Sequence, residues 1–187
     1  MKYEELYDSS FLSNFDEVYL NEIKNLTLEI EDEDYQIDLI KISDILGINI
    51  EYKIFSHSGM YDPSENIIYL NELEPEFRQR FTLAHELGHA VLGHNISYRT
   101  ELPEYISIIE KMNETNANKF AAELLLPKRL VVLALYHAYE ILEYNENEEV
   151  SENQVNEIVY VTARLLNVSE QSLRFRFNNL SLFSEAI

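Results

Sequence analysis

Apolar and polar positions follow a helical period over most of the chain and a strand period in one central block. In "SSFLSNFDEVYLNEIKNL", Phe11, Phe15, Tyr19 and Ile23 recur every fourth residue, which predicts an amphipathic helix with Ser9 or Ser10 as its N-cap. "IDLIKISDILG" predicts a second helix closed by Gly47, because glycine accepts the left-handed conformation that ends a helix. The period then shortens to two. "INIEYKIF", the residues around Gly59 to Tyr61, and "NIIYL" read as three short strands, with "YDPSEN" as turn material before the last. Helical spacing returns in "PEFRQRFTLAHELGHAVLGH", entered through Pro75, and in "YISIIEKMNETNANKFAAELLLP", which Pro127 stops because it cannot extend the hydrogen-bond ladder. "LVVLALYHAYEIL" and "ENQVNEIVYVTARLLNVSEQSLRFRFNNL" are helical in pattern as well.

These elements predict an α+β fold in which a small, mostly antiparallel sheet packs on helices. A helical segment over 1–34 precedes a core over 35–127, and a C-terminal helical segment follows over 128–187. "NIIYL" is expected to offer a sheet edge to which an extended substrate could add as a further strand.

Composition narrows the chemistry. The 187 residues include no cysteine, so neither a disulfide nor a thiolate is available and any metal must be held by nitrogen and oxygen. "MKYEELYDSS" lacks the apolar core of a signal peptide, and no run approaches the roughly 20 apolar residues that span a bilayer. A soluble cytoplasmic protein without membrane contact is therefore expected. The formal charge of -20 disfavours phosphate backbones and favours a basic protein partner.

His85, Glu86, His89 and His94 fall within fifteen residues of a chain that has five histidines. On a helix, side chains four positions apart project about 40° from one another, so His85 and His89 can share one ion. Glu86 lies about 60° around from His89, badly placed as a third ligand but able to reach water at the metal, so it is assigned general base. Leu83, Ala84, Leu87, Ala90 and Val91 cluster away from the histidines and can enter the core. Gly88 costs about 1 kcal/mol relative to Ala inside a helix, which points to a close approach, most simply by another helix.

Catalytic zinc takes three protein ligands and leaves a position for water. The helix ending at Pro127 supplies Glu114, with Ala117, Asn118 and Ala121 on the same face; small neighbours suit a close helix pair around an ion, and Asn118 can orient a ligand imidazole through its free ring N–H. Glu110, about 40° away and one turn earlier, is the competitor. His94 does not complete the longer three-histidine zinc pattern, because the glycine and histidine stand four and five residues after His89 and not three and six. It reads as a helix-end residue facing the helix dipole, or as a hydrogen-bond donor in the cleft.

At these residues the sequence resembles the ImmA/IrrE family of zinc metallopeptidases, whose pattern joins "RFTLAHELGH" to "ETNANKFAAELLLP"; the upstream "LGINIEYKIF" and "GMYDPSENIIYLNE" are similar to that family's sheet. The resemblance covers roughly Ile37 to Pro127 and implies a minimal zincin-like core. It implies His85, His89 and Glu114 as Zn2+ ligands, Glu86 as the catalytic acid/base, and a helix-turn-helix transcriptional repressor, often encoded beside the peptidase on a mobile element, as substrate. Many relatives carry an acidic residue where this chain has Asn116, a position about 160° from the zinc face.

The expected reaction is zinc-dependent endopeptidase cleavage, with His94, Tyr98 or Tyr105 as candidate oxyanion donors. The rival reading is a catalytically silent zinc-containing regulatory or protein-binding module, and a non-proteolytic zinc hydrolase is a third. Ala163, Leu166, Val168, Ser169, Leu173 and Arg176 fall much as in a helix-turn-helix, with Ser169 capping the second helix. Arg164, Arg174 and Arg176 are nonetheless offset by Glu152, Glu157, Glu170 and Glu185, so the segment is expected to be a helical cap or docking module and not a DNA reader. His57 and His137 have no partner by spacing and read as structural.

Overall fold

After a first short helix α1 (Tyr3–Leu6), the N-terminal apolar stripe forms two short helices instead of one, α2 (Ser9–Leu12) and α3 (Glu17–Asn25). The computed structural model describes residues 1–30, 35–94, 103–145 and 149–182, and for residues 103–107 the backbone alone. Polar side chains interrupt the stripe by taking backbone partners. Ser13 Oγ donates to the Ser10 carbonyl and Asn14 Nδ2 to that of Phe11, while Asp16 accepts the Val18 N–H and caps α3. Such bonds compete with the helical ladder. The residue before α2 is Asp8, so Ser9 and Ser10 lie inside that helix. Phe11, Phe15 and Ile23 are buried all the same, and Phe11 and Phe15 pack their rings on Phe120.

Helix α4 (Leu39–Leu46) is capped by Asp38, whose carboxylate accepts the Lys41 N–H, and it ends at Gly47 with φ +68°. Three strands follow, β1 (Asn49–Lys53), β2 (Gly59–Asp62) and β3 (Ile67–Asn71), in the spatial order β1-β3-β2. β2 and β3 pair antiparallel with Gly59 opposite Leu70, whereas β1 and β3 pair parallel with Asn49 opposite Ile67. The sheet is therefore mixed, and "NIIYL" is its centre and not an edge. Ile68 and Leu70 are fully buried from that central position, and among the described residues the edges of the sheet are β1 and β2.

Helix α5 (Glu76–Val91) lies against β2 and β3 and α6 (Pro103–Leu125) runs alongside it. Leu83, Ala84 and Leu87 of α5 and Ala117, Phe120, Ala121 and Leu124 of α6 are buried. The expected close approach occurs at Gly88: a Cβ there would stand 3.1 Å from the Phe120 ring and 3.2 Å from both the Ala117 Cα and its carbonyl oxygen. Two of these three obstacles are backbone, so Gly88→Ala must push α6 outward. The helix-propensity gain of about 1 kcal/mol offsets only part of an overpacking cost of about 1–3 kcal/mol. A lowered Tm and weakened metal binding are expected together, read by thermal melts with and without zinc.

Pro127 precedes α7 (Lys128–Ile141), and α8 (Glu152–Leu165) and α9 (Glu170–Leu180) complete the chain's described helices. Ser151 and Gln154 form a reciprocal capping box on α8, and Ser169 accepts the Ser172 N–H at the start of α9, so side chains satisfy orphan amides at both helix starts. Ala163, Leu166, Val168, Leu173 and Phe177 are buried. Arg176 donates from Nε to the Leu126 carbonyl and Arg174 to Asn156, so two of the segment's arginines are held within the chain. Among the described residues, no helix is long and apolar enough to cross a membrane.

Candidate metal centre

Four steps along α5 separate His85 from His89, and α6 sets Glu114 opposite both. The Nε2 atoms of the two histidines are 3.1 Å apart. Glu114 Oε2 is 3.2 Å from His85 Nε2, and its Oε1 is 3.3 Å from His89 Nε2. Tetrahedral zinc with bonds of about 2.0–2.1 Å separates its ligand atoms by about 3.3 Å; the two nitrogens stand near that spacing, and each is approached at it by a different oxygen of the Glu114 carboxylate. They form a group able to hold a metal among the described residues.

The direction of the lone pairs agrees. Asn118 Oδ1, an acceptor, faces His85 Nδ1 at 3.1 Å, which keeps the proton on Nδ1 and turns a bare Nε2 toward the carboxylate. Acceptors converging on acceptors make a place for a cation. Burial holds His89 below the ordinary imidazole pKa; the nearby His85 adds to that, while Glu114 opposes it. A neutral ring is the form that ligates.

Glu86, next to His85 on α5, reaches the sheet. Its Oε2 accepts the Tyr61 backbone N–H at 2.9 Å. Burial raises the Glu86 carboxyl above its usual range, Glu114 adds to this, and His85 and the Tyr61 amide pull it down. The Tyr61 contact was invisible in the sequence because it uses a main-chain group whose direction depends on strand register. His94 lies just past the end of α5, with Nδ1 3.0 Å from Nδ1 of His89; burial depresses its pKa.

The remaining candidates stand apart from this cluster or outside what is described. Glu110 is exposed on α6 and does not join the metal-binding group. Asn116 is exposed, consistent with its position away from the zinc face. Tyr98, and the side chain of Tyr105, lie outside the described residues. His57 packs on Phe55 and His137 stacks on Tyr35 while its Nδ1 meets Glu140 at 3.2 Å, so each contacts its own surroundings.

Comparison with known proteins returns the same chemistry. The family model Peptidase M78, described as an IrrE N-terminal-like domain, matches residues 40–178. The radiation response metalloprotease IrrE of Deinococcus radiodurans is 32% identical over 88 residues, covering 46% of this chain and 27% of the relative. Its namesake in Deinococcus deserti is 43% identical over 76 residues, covering 39% and 27%. The matched stretch thus spans about a quarter of the length of these curated relatives. The solved structure of a Mycobacterium tuberculosis transcriptional regulator aligns over 95% of this chain and 52% of that chain, with 15% identity and a TM-score of 0.49.

Proposed function

The chain belongs to the Peptidase M78 family of IrrE N-terminal-like domains, and from that membership we propose that it is a zinc-dependent endopeptidase acting in the cytoplasm. His85, His89 and Glu114 hold the zinc, Asn118 orients His85, and Glu86 is the general base. The observation that carries this reading is the convergence of two imidazole nitrogens and the two oxygens of one carboxylate at 3.1–3.3 Å, close enough to share one ion. When bound, zinc supplies Lewis acidity, lowering the pKa of water and polarising a peptide carbonyl.

The chain's own residues do the rest. Glu86, fixed by the Tyr61 amide and destabilised as an anion by burial, takes a proton from the attacking water and returns it to the departing amine. The zinc ligand imidazoles enter as neutral rings, which His89's burial favours. His94, Tyr98 and Tyr105 are the candidate oxyanion donors; His94 engages His89 through Nδ1, which leaves its Nε2 for such a contact.

The substrate class we propose is a basic helix-turn-helix repressor, cut to relieve repression, with the C-terminal helices as cap or docking module. The net charge of -20 supports attraction to such a protein and opposes direct nucleic-acid binding. The test is incubation of the zinc-loaded chain with a basic helix-turn-helix regulator, taken first from any encoded beside it. Discrete cleavage that stops on chelation is expected; an intact regulator in the presence of a filled zinc site would instead identify a silent binding module.

A further inference from the structure

We propose that His94 is the positioning residue for the metal ligand His89, through a hydrogen bond between their Nδ1 atoms. The proposal rests on the metal-centre reading above and adds to it a device at the end of α5. That helix closes in a two-bond turn. The Gly93 N–H donates to the Ala90 carbonyl at 3.3 Å and the His94 N–H to the His89 carbonyl at 3.0 Å, with Gly93 at φ +65°. This is the Schellman arrangement, in which a residue in the left-handed region folds the chain back over the last turn. Its consequence here is specific: the backbone of His94 is bonded to the backbone of the very residue whose ring it must reach.

The rings then meet edge to face. Their centroids are 5.0 Å apart with planes 73° from parallel, and the Nδ1 atoms are 3.0 Å apart. A hydrogen bond between two ring nitrogens needs one proton and one lone pair. If Nε2 of His89 is to ligate, its proton must sit on Nδ1, which makes His89 the donor. His94 Nδ1 is then the acceptor and carries its own proton on Nε2.

Both ligand imidazoles therefore have an acceptor behind them, supplied from different places. Asn118 on α6 serves His85, and the turn after α5 serves His89. A ligand ring left free about its χ angles must be ordered when the ion arrives, whereas a ring held in the ligating tautomer is already aimed. The acceptor is a neutral ring and not a carboxylate, so it orients His89 without adding negative charge at the metal.

The test compares His94→Ala and His94→Asn in the full chain, reading zinc affinity by chelator competition, the absorption spectrum of the cobalt-loaded protein, and the Tm of the metal-free protein. Asn carries its carbonyl oxygen on Cγ, where His carries Nδ1, so it can restore the acceptor. His94→Ala is expected to weaken zinc about 10- to 100-fold, the usual loss on removing such a partner, and to alter the cobalt spectrum. His94→Asn should recover most of both, and the metal-free Tm should stay unchanged in each. Wild-type zinc affinity and spectrum in His94→Ala would overturn the proposal; so would a lowered metal-free Tm with no rescue by Asn, which marks a merely structural turn. Because the readout is binding, a wild-type chain that takes up zinc but cleaves nothing defeats the peptidase reading and leaves this one standing. Zinc uptake indifferent to His89→Ala would defeat both.

Discussion

Glu86→Gln is expected to retain zinc at wild-type affinity and to lose about 100- to 10,000-fold in kcat, the range that a positioned general acid or base contributes. The substitution is close to a pure removal of basicity. Gln is the same size as Glu, and its side-chain oxygen can still accept the Tyr61 N–H that Glu86 accepts at 2.9 Å, so the side chain stays where it is. What disappears is a carboxylate whose proton affinity is raised first by burial and then by Glu114, against the opposing pull of His85 and the Tyr61 amide. A carboxylate moved upward from its usual range is a better proton acceptor near neutral pH than an ordinary one. Zinc stoichiometry and turnover measured on the same preparation decide the matter. Wild-type turnover would remove Glu86 from the mechanism, and loss of zinc would make it part of the ligand scaffold.

Features that live within one helix were legible in the residues. The separation of His85 from His89 is a property of helical geometry, as is the displacement of Glu86 from their face, and Gly88 signalled a neighbour that proves to be the Ala117 backbone and the Phe120 ring. Glu114 was distinguished from Glu110 by the small residues that follow it, since only Ala117 and Ala121 let α6 come close enough; both are fully buried. Other features depend on what is distant in sequence. Strand spacing marked three strands but carried no information about order, so the parallel β1–β3 pairing and the central place of β3 were missed. The break after Leu12 turned on side-chain bonds from Ser13, Asn14 and Asp16 that compete with a clean apolar stripe. His94 was visible as a histidine near the site, but the direction of its ring follows from the turn at Gly93.

Zinc is expected to raise the Tm of this chain by roughly 5–10 °C when free metal is 100-fold above its Kd. Binding to the native state alone at that ratio contributes about 2.7 kcal/mol, and 1 kcal/mol corresponds to about 2–4 °C for a chain of this size. The rise should be large and clean because an ion held by His85, His89 and Glu114 would tie α5 to α6, which unfolding separates. Glu114→Ala is the sharper control. The Glu114 side chain is 59% exposed, so its removal should change the metal-free protein by no more than about 0.5 kcal/mol, as for ordinary surface substitutions. The zinc-dependent rise should nonetheless collapse, since two imidazoles on one helix no longer tie it to the other. His89→Ala should lose the rise as well, but with a cost to the metal-free fold from its partly buried ring. Melts with and without zinc for wild type, Glu114→Ala and Glu110→Ala separate the two carboxylates: a rise that survives in the first variant and vanishes in the second would transfer the third ligand to Glu110 and break the geometry on which the catalytic reading stands.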